Sequence, residues 1–144
     1  MKKYTVGFKV PSSNPYLHMT LCFVGRCHET KLDEIKKQMD VLRDILPLRV
    51  NYLDYDMFGP NKNIRVRKCE IVDQAKMAKV QAFYDKFYVP EENIPYNAVP
   101  QLHVTLKNAD EEIKLQNHFV SRELFLKELG AHPPLFIVNA ADSS

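Results

Sequence analysis

The sequence predicts an α+β fold. Tyr4–Val10 alternates apolar and polar residues as a half-buried strand does, and two further pairs of alternating segments are separated only by turn residues. Two longer segments have apolar residues stepping by three and four, as one face of a helix does. Hairpins mixed with flanking helices argue against a regularly wound parallel sheet.

The elements follow in order. Tyr4, Val6, Phe8 and Val10 share one face of the first strand, with Thr5, Gly7 and Lys9 on the other. Pro11–Pro15 is a turn, and Leu17–Val24 is a second strand closed by Gly25. A helix is expected from Glu29 to Leu46, striped by Leu32, Ile35, Met39, Leu42 and Leu46, capped by Thr30 and stopped by Pro47. Leu48–Phe58 and Ile64–Val72 read as strands around a Gly59–Asn63 turn, and the alternation slips between Tyr52 and Leu53, which predicts a bulge. Asp73 caps a second helix running to Val89, with Met77, Val80, Tyr84 and Phe87 on its apolar stripe. Gln101–Asn108 is a strand, Asp110–Phe119 a short helix, and Arg122–Leu129 with Leu135–Ala140 a closing strand pair.

A chain of 144 residues is long enough to bury a core without staples and fits one domain over 1–144. Its net charge of +2 is too weak for the basic stripe of a dedicated duplex binder, and suits a small phosphate-bearing ligand that needs a few local cations. Cys22, Cys27 and Cys69 form no CxxC pair, so reduced thiols in a cytoplasmic setting are expected rather than a disulfide framework or a zinc site. No apolar run approaches the ~18 residues of a membrane span, and the first residues lead into a strand instead of a signal core. No membrane association and no obligate protein partner are expected.

Chemistry concentrates in one repeated motif. Leu17-His18-Met19-Thr20-Leu21-Cys22-Phe23-Val24-Gly25 and Pro100-Gln101-Leu102-His103-Val104-Thr105-Leu106-Lys107 each place His-x-Thr-Leu in a strand. Strand alternation puts His18 beside Thr20, and His103 beside Thr105 and Lys107, while Leu17, Met19, Leu21, Leu102, Val104 and Leu106 point to the core. A single His-x-Thr says little. A second His-x-Thr-Leu arises by chance in a chain this short on the order of 1% of the time, so the repeat carries meaning.

The pair resembles the two-histidine (2H) phosphoesterase superfamily, which includes LigT-like RNA ligases, cyclic phosphodiesterases and 2′-5′ phosphodiesterases. The first motif is similar to that family's His-hydrophobic-Thr-Leu-x-Phe-hydrophobic-Gly and the second to its Pro-x-x-His-x-Thr-Leu, with Lys107 where many members carry a basic residue. The order of elements between the motifs matches as well. The resemblance implies a bilobal fold of two antiparallel-rich sheets flanked by helices, a central cleft with one motif strand on each side, and His18 facing His103 across it. Small viral members of the family remove 2′-5′-linked or cyclic immune messengers of the host, a role that the resemblance extends to this chain.

The residues permit this chemistry on their own account. In-line cleavage of a phosphodiester needs a base for the attacking oxygen and an acid for the leaving one, and two histidines can hold opposite protonation states near neutral pH. Thr20 and Thr105 can donate hydrogen bonds to the non-bridging oxygens. Nothing in the set calls for a metal or another cofactor, and the sequence contains no His-Glu-x-x-His. Water attacking a 2′,3′-cyclic phosphate, or a ribose hydroxyl attacking a 2′-5′ or 3′-5′ linkage, would both fit, and the sequence assigns neither histidine as the base.

Lys107 is a candidate phosphate contact, and Tyr16 and Tyr96, in the loops leading into the two motifs, are candidate stacking partners for a base. Alternation separates Lys68 from Arg65 and Arg67, so that basic cluster reads as a solvated sheet face. His28, His118 and His132 lack a threonine partner and read as surface residues. The expected function is a metal-independent phosphodiesterase acting beside a ribose 2′ position on a small nucleotide or an RNA end. The alternative is a module that binds the same ligands without turnover.

Overall fold

A computed structural model gives the architecture and describes residues 2–59, 61–106 and 116–141. Along the described chain run β1 (Lys3–Lys9), β2 (His18–Arg26), α1 (Glu29–Val41), β3 (Leu48–Phe58), β4 (Ile64–Ile71), α2 (Gln74–Phe87), β5 (His103–Thr105), β6 (His118–Ser121), β7 (Glu123–Glu128) and β8 (Phe136–Asn139). The strands pair antiparallel in the order β6-β3-β4-β5-β2-β1-β7-β8. The two sheets expected from the sequence are thus halves of one continuous sheet. β5 joins them, pairing with β2 on one edge and with β4 on the other. Alternation reports which face a strand buries but not which strand lies beside it, so this junction had no local signal.

Both helices cover one face. Ile35 and Met39 of α1 and Val80, Phe83 and Phe87 of α2 share a buried cluster with Val6, Phe8, Met19 and Val104 of the sheet. Full burial of a side chain such as Ile35 or Met39 stabilises by about 1.5–3 kcal/mol, so these stripes hold the helices in place. The other face carries Gly7, Lys9, His18, Thr20, His103 and Thr105.

Several boundaries differ from the sequence reading. His28, not Thr30, is the N-cap of α1 and makes no side-chain cap bond. The first turn is tied instead by Lys31, whose Nζ donates to the Val24 carbonyl at 2.8 Å. α1 tightens into a 3-10 turn at Leu42–Ile45 before Pro47. Asp73 does cap α2, accepting from the Lys76 amide at 3.1 Å, but the helix ends at Phe87 rather than Val89. The register shift between Tyr52 and Tyr55 is the expected bulge.

Of the expected strand Gln101–Asn108, His103–Thr105 form β5, Leu102 and Leu106 are hydrogen-bonded to Cys69 and Arg65 of β4, and residues 107 and 108 lie outside the described residues. Of the expected helix Asp110–Phe119, residues 110–115 lie outside the described residues, while His118 and Phe119 belong to β6. There Phe119 and Ser121 are buried and His118 and Val120 exposed, a two-residue period that starts too late to be seen against the preceding polar residues. Among the described residues no helix is long and apolar enough to cross a membrane.

Candidate active site

β2 and β5 run side by side with Met19 opposite Val104. Antiparallel pairing then sets His18 opposite Thr105 and Thr20 opposite His103, all on the face away from the helices. The histidines are diagonal neighbours, their Cα atoms about 7–8 Å apart by this geometry. Each motif strand is the inner strand of its own half of the sheet, and the two meet side by side at the junction. The two histidines share one floor.

Each imidazole is anchored in the same way. His18 Nδ1 lies 3.0 Å from the Tyr16 carbonyl oxygen, and His103 Nδ1 lies 2.6 Å from that of Gln101. A carbonyl only accepts, so in both rings Nδ1 carries the hydrogen and Nε2 is the atom that takes or gives a proton. The Tyr16 carbonyl is itself set by the loop before β2, where the Asn14 side chain accepts from the Tyr16 amide at 3.0 Å and the Asn14 amide donates to Ser12 Oγ at 3.0 Å. The Gln101 carbonyl is held because the next residue, Leu102, accepts from the Cys69 amide at 2.9 Å.

An aromatic ring then fixes each imidazole plane. Phe125 of β7 meets His18 edge to face at 5.6 Å between centroids and 86° between planes, and Phe58 of β3 meets His103 at 4.7 Å and 64°. Gly7 makes room for the first of these. A Cβ there would lie 3.0 Å from Phe125 Cζ and 3.0 Å from the Met19 carbonyl oxygen. Burial pushes the His103 pKa below the ordinary histidine value of 6.5, with the Gln101 carbonyl opposing part of the fall.

Two cavities border this floor. One of about 360 Å³ is bordered by His18, Lys9, Tyr16, Phe125, Lys127 and His132. The other, of about 660 Å³, is bordered by His103, Thr20, Phe58, Tyr84, Tyr88 and Gln101.

Of the remaining residues singled out in the sequence, Tyr16 borders the first cavity, with its ring 4.4 Å from that of His132. Tyr96 is 64% exposed and packs against Tyr88, 5.3 Å between centroids, outside the second cavity's wall. Lys107 lies outside the described residues. Lys68 pairs in register with His103 and shares its face, whereas Arg65 and Arg67 turn the other way onto Tyr55 and Tyr52. Cys22, Cys27 and Cys69 are free and buried, and burial pushes the thiols of Cys22 and Cys69 up to about 12.

Sequence reasoning missed Phe125, Phe58, Gly7, Lys9, Lys127 and His132. Lys9 had a signal, since it sits on the polar face of β1, and the pairing of β1 with β2 places it opposite His18. Gly7 shares that face of β1, opposite Thr20, and the others come from strands and loops far along the chain.

No protein-family model matches the chain, and no curated protein sequence does. Solved structures do. The chain superimposes on E. coli LigT complexed with 3′-AMP with a TM-score of 0.53 at 14% identity, over 98% of this chain and 99% of that one. A protein of Thermus thermophilus gives 0.53 at 13% identity, over 99% and 100%. A structure described as a phosphoesterase gives 0.50 at 14%, over 98% and 99%. The chain has the LigT-like α+β fold.

Proposed function

We propose that the chain is a metal-independent phosphodiesterase that cleaves a phosphodiester beside a ribose 2′ position, with His18, Thr20, His103 and Thr105 as its catalytic residues. The observation that carries this reading is the duplicated imidazole anchor. Two histidines on neighbouring strands each have Nδ1 on the carbonyl two residues back, an aromatic ring against the plane, and a threonine opposite. A single structural histidine has no need of such matched support, whereas a pair that must pass protons through defined atoms does.

A phosphate over this floor meets both hydroxyls, which donate to its non-bridging oxygens and stabilise the charge that builds there. His103 serves as the base, since burial disfavours the charged form of its ring. Its Nε2 takes the proton of the attacking ribose hydroxyl as that oxygen bonds to phosphorus. The bond from phosphorus to the leaving nucleoside breaks, and protonated His18 gives its Nε2 proton to the departing oxygen. The products are a cyclic phosphate and a free nucleoside, and water entering with the two roles exchanged yields the monoester. Acid, base and phosphate donors are all side chains, so the cycle requires no metal.

The 3′-AMP complexed with E. coli LigT supports a small nucleotide as the ligand class. A 2′-5′-linked oligonucleotide, a cyclic dinucleotide and a 2′,3′-cyclic phosphate all present the required linkage, and removal of an immune nucleotide messenger falls within this reading. The buried, unreactive thiols suit a cytoplasmic protein. The test is a panel of 2′,3′-cyclic nucleotides, 2′-5′ oligoadenylate, 3′-5′ RNA and cyclic dinucleotides, incubated with a strong chelator and read by product mass. Cleavage of at least one member to a cyclic phosphate or monoester is expected, and an inert panel would overturn the proposal.

A further inference from the structure

The two imidazole anchors are alike in geometry but not in support. The Gln101 carbonyl stands at the approach to β5, where the main-chain bond between Leu102 and Cys69 carries the pairing with β4 one residue further. The Tyr16 carbonyl lies in the loop between β1 and β2, outside any strand. Its direction has to be set by the loop itself.

That loop is closed at its base by the Val10 amide, which donates to the Leu17 carbonyl at 3.1 Å. Inside the closure, one residue holds both peptide groups that flank Tyr16. The Asn14 side-chain Oδ1 accepts from the Tyr16 amide at 3.0 Å, and the Asn14 main-chain carbonyl accepts from the Leu17 amide at 3.3 Å. The second bond aims the anchor. The Leu17 N–H and the Tyr16 C=O belong to one trans peptide plane and point in opposite directions. With the N–H turned to Asn14, the C=O is turned the other way, to His18 Nδ1 at 3.0 Å.

Asn14 is fixed in its turn. Its amide donates to Ser12 Oγ at 3.0 Å. Pro15, between Asn14 and Tyr16, locks φ in the middle of the turn and has no N–H to compete for Oδ1. An asparagine suits the position because its short side chain reaches the amide two residues on. Alanine would leave the Tyr16 amide without that acceptor and the turn without its brace.

The consequence is chemical. As the acid of the cycle, His18 gives its Nε2 proton to the departing oxygen and keeps the hydrogen on Nδ1. The neutral ring left behind is the Nδ1–H tautomer, which is favoured when Nδ1–H has an acceptor. Without a fixed Tyr16 carbonyl the ring is free to turn and to hold its hydrogen on either nitrogen. Small errors of aim at a reacting atom slow the step steeply.

We propose that Asn14 is a positioning residue for His18: through the Tyr16 carbonyl it sets the tautomer and the aim of the imidazole, and so the rate of proton transfer to the leaving oxygen. The inference rests on the paired-histidine reading and adds to it a residue outside the repeated motif.

The experiment compares full-length Asn14→Ala and Asn14→Asp with the parent. In isotope-labelled protein at alkaline pH, the nitrogen NMR shifts of the parent His18 ring should show the hydrogen on Nδ1. Asn14→Ala should move them toward the Nε2–H form, leave those of His103 in place, and lower kcat by about 10–10²-fold with KM changed by less than about twofold. Asp keeps an oxygen acceptor at the same reach, so Asn14→Asp should restore the parent tautomer and recover most of the rate. A residue that only braces the loop would lower Tm in the alanine variant and leave the His18 tautomer and kcat at parent values, and that result overturns the proposal. An aspartate variant as slow as the alanine one overturns it too. If His18→Ala keeps the parent rate, the paired-histidine reading fails and the kcat arm with it, while the ring nitrogen shifts still decide whether Asn14 sets the imidazole.

Discussion

His18 and His103 stand diagonally on adjacent antiparallel strands, and each gives its Nδ1 hydrogen to the carbonyl two residues earlier in its own chain. The motif thus carries its own tautomer control. The residue before a motif strand supplies the acceptor, the strand aims the ring, and a phenylalanine from a distant strand fixes its plane. The anchor on the backbone has a further consequence: no side-chain substitution at Tyr16 or Gln101 removes it.

The His103 ring should titrate below the ordinary histidine value of about 6.5, because its burial opposes the charged form. The acid limb of the kcat/KM profile should accordingly extend to lower pH than an unshifted pair would give, though the two limbs belong to the coupled pair. Between the lowered value and 6.5 the unfolded chain binds this proton and the folded chain does not, so His103 makes stability rise with pH across that interval. NMR titration of the imidazole signals checks this, and a His103 midpoint at or above 6.5 would contradict it.

Gly7→Ala should lower both stability and turnover. The added Cβ meets Phe125 and the Met19 carbonyl at 3.0 Å each, and overpacking of this kind costs about 1–3 kcal/mol. Phe125 must then shift against His18. Combining Gly7→Ala with Phe125→Leu should recover part of the lost Tm, since one of the two clashes is removed, without restoring the rate. Thermal melts and turnover of the two single variants and the double variant test this, and a double variant that melts at the sum of the single losses would count against it.

Thr20→Val and Thr105→Val should each slow turnover by up to about 10²-fold while leaving Tm almost unchanged. Each hydroxyl donates one hydrogen bond to the phosphate, whereas the histidines carry the proton path. Steady-state rates against the parent measure this. A loss from either threonine larger than that from the histidine opposite would mean the roles are misassigned.

Much of the fold was legible because its elements are locally determined. The stripe of Ile35 and Met39, the cap at Asp73, the bulge after Tyr52 and the alternation around Met19 and Val104 all depend on neighbours in sequence. The repeated His-x-Thr-Leu was legible for the same reason, as was its facing: Met19 and Val104 are fully buried in the core, and the histidines are half-buried on the other face. What could not be read is what strand neighbours decide. That β5 lies against β2, that Gly7 yields space to Phe125, and that His132 meets Tyr16 are contacts between residues far apart along the chain. β6 escaped notice because its alternation spans four residues, from His118 to Ser121.

The most direct measurement is the turnover of His18→Ala and His103→Ala on whichever substrate the parent cleaves, with folding checked by thermal melt. Each should lose about 10²–10⁴-fold in kcat with Tm nearly unchanged, since both rings are half-buried on the open face and not in the helix-side core. The double variant should lose less than the product of the two, because acid and base act as a unit. Folded variants that turn over substrate at the parent rate would contradict the account.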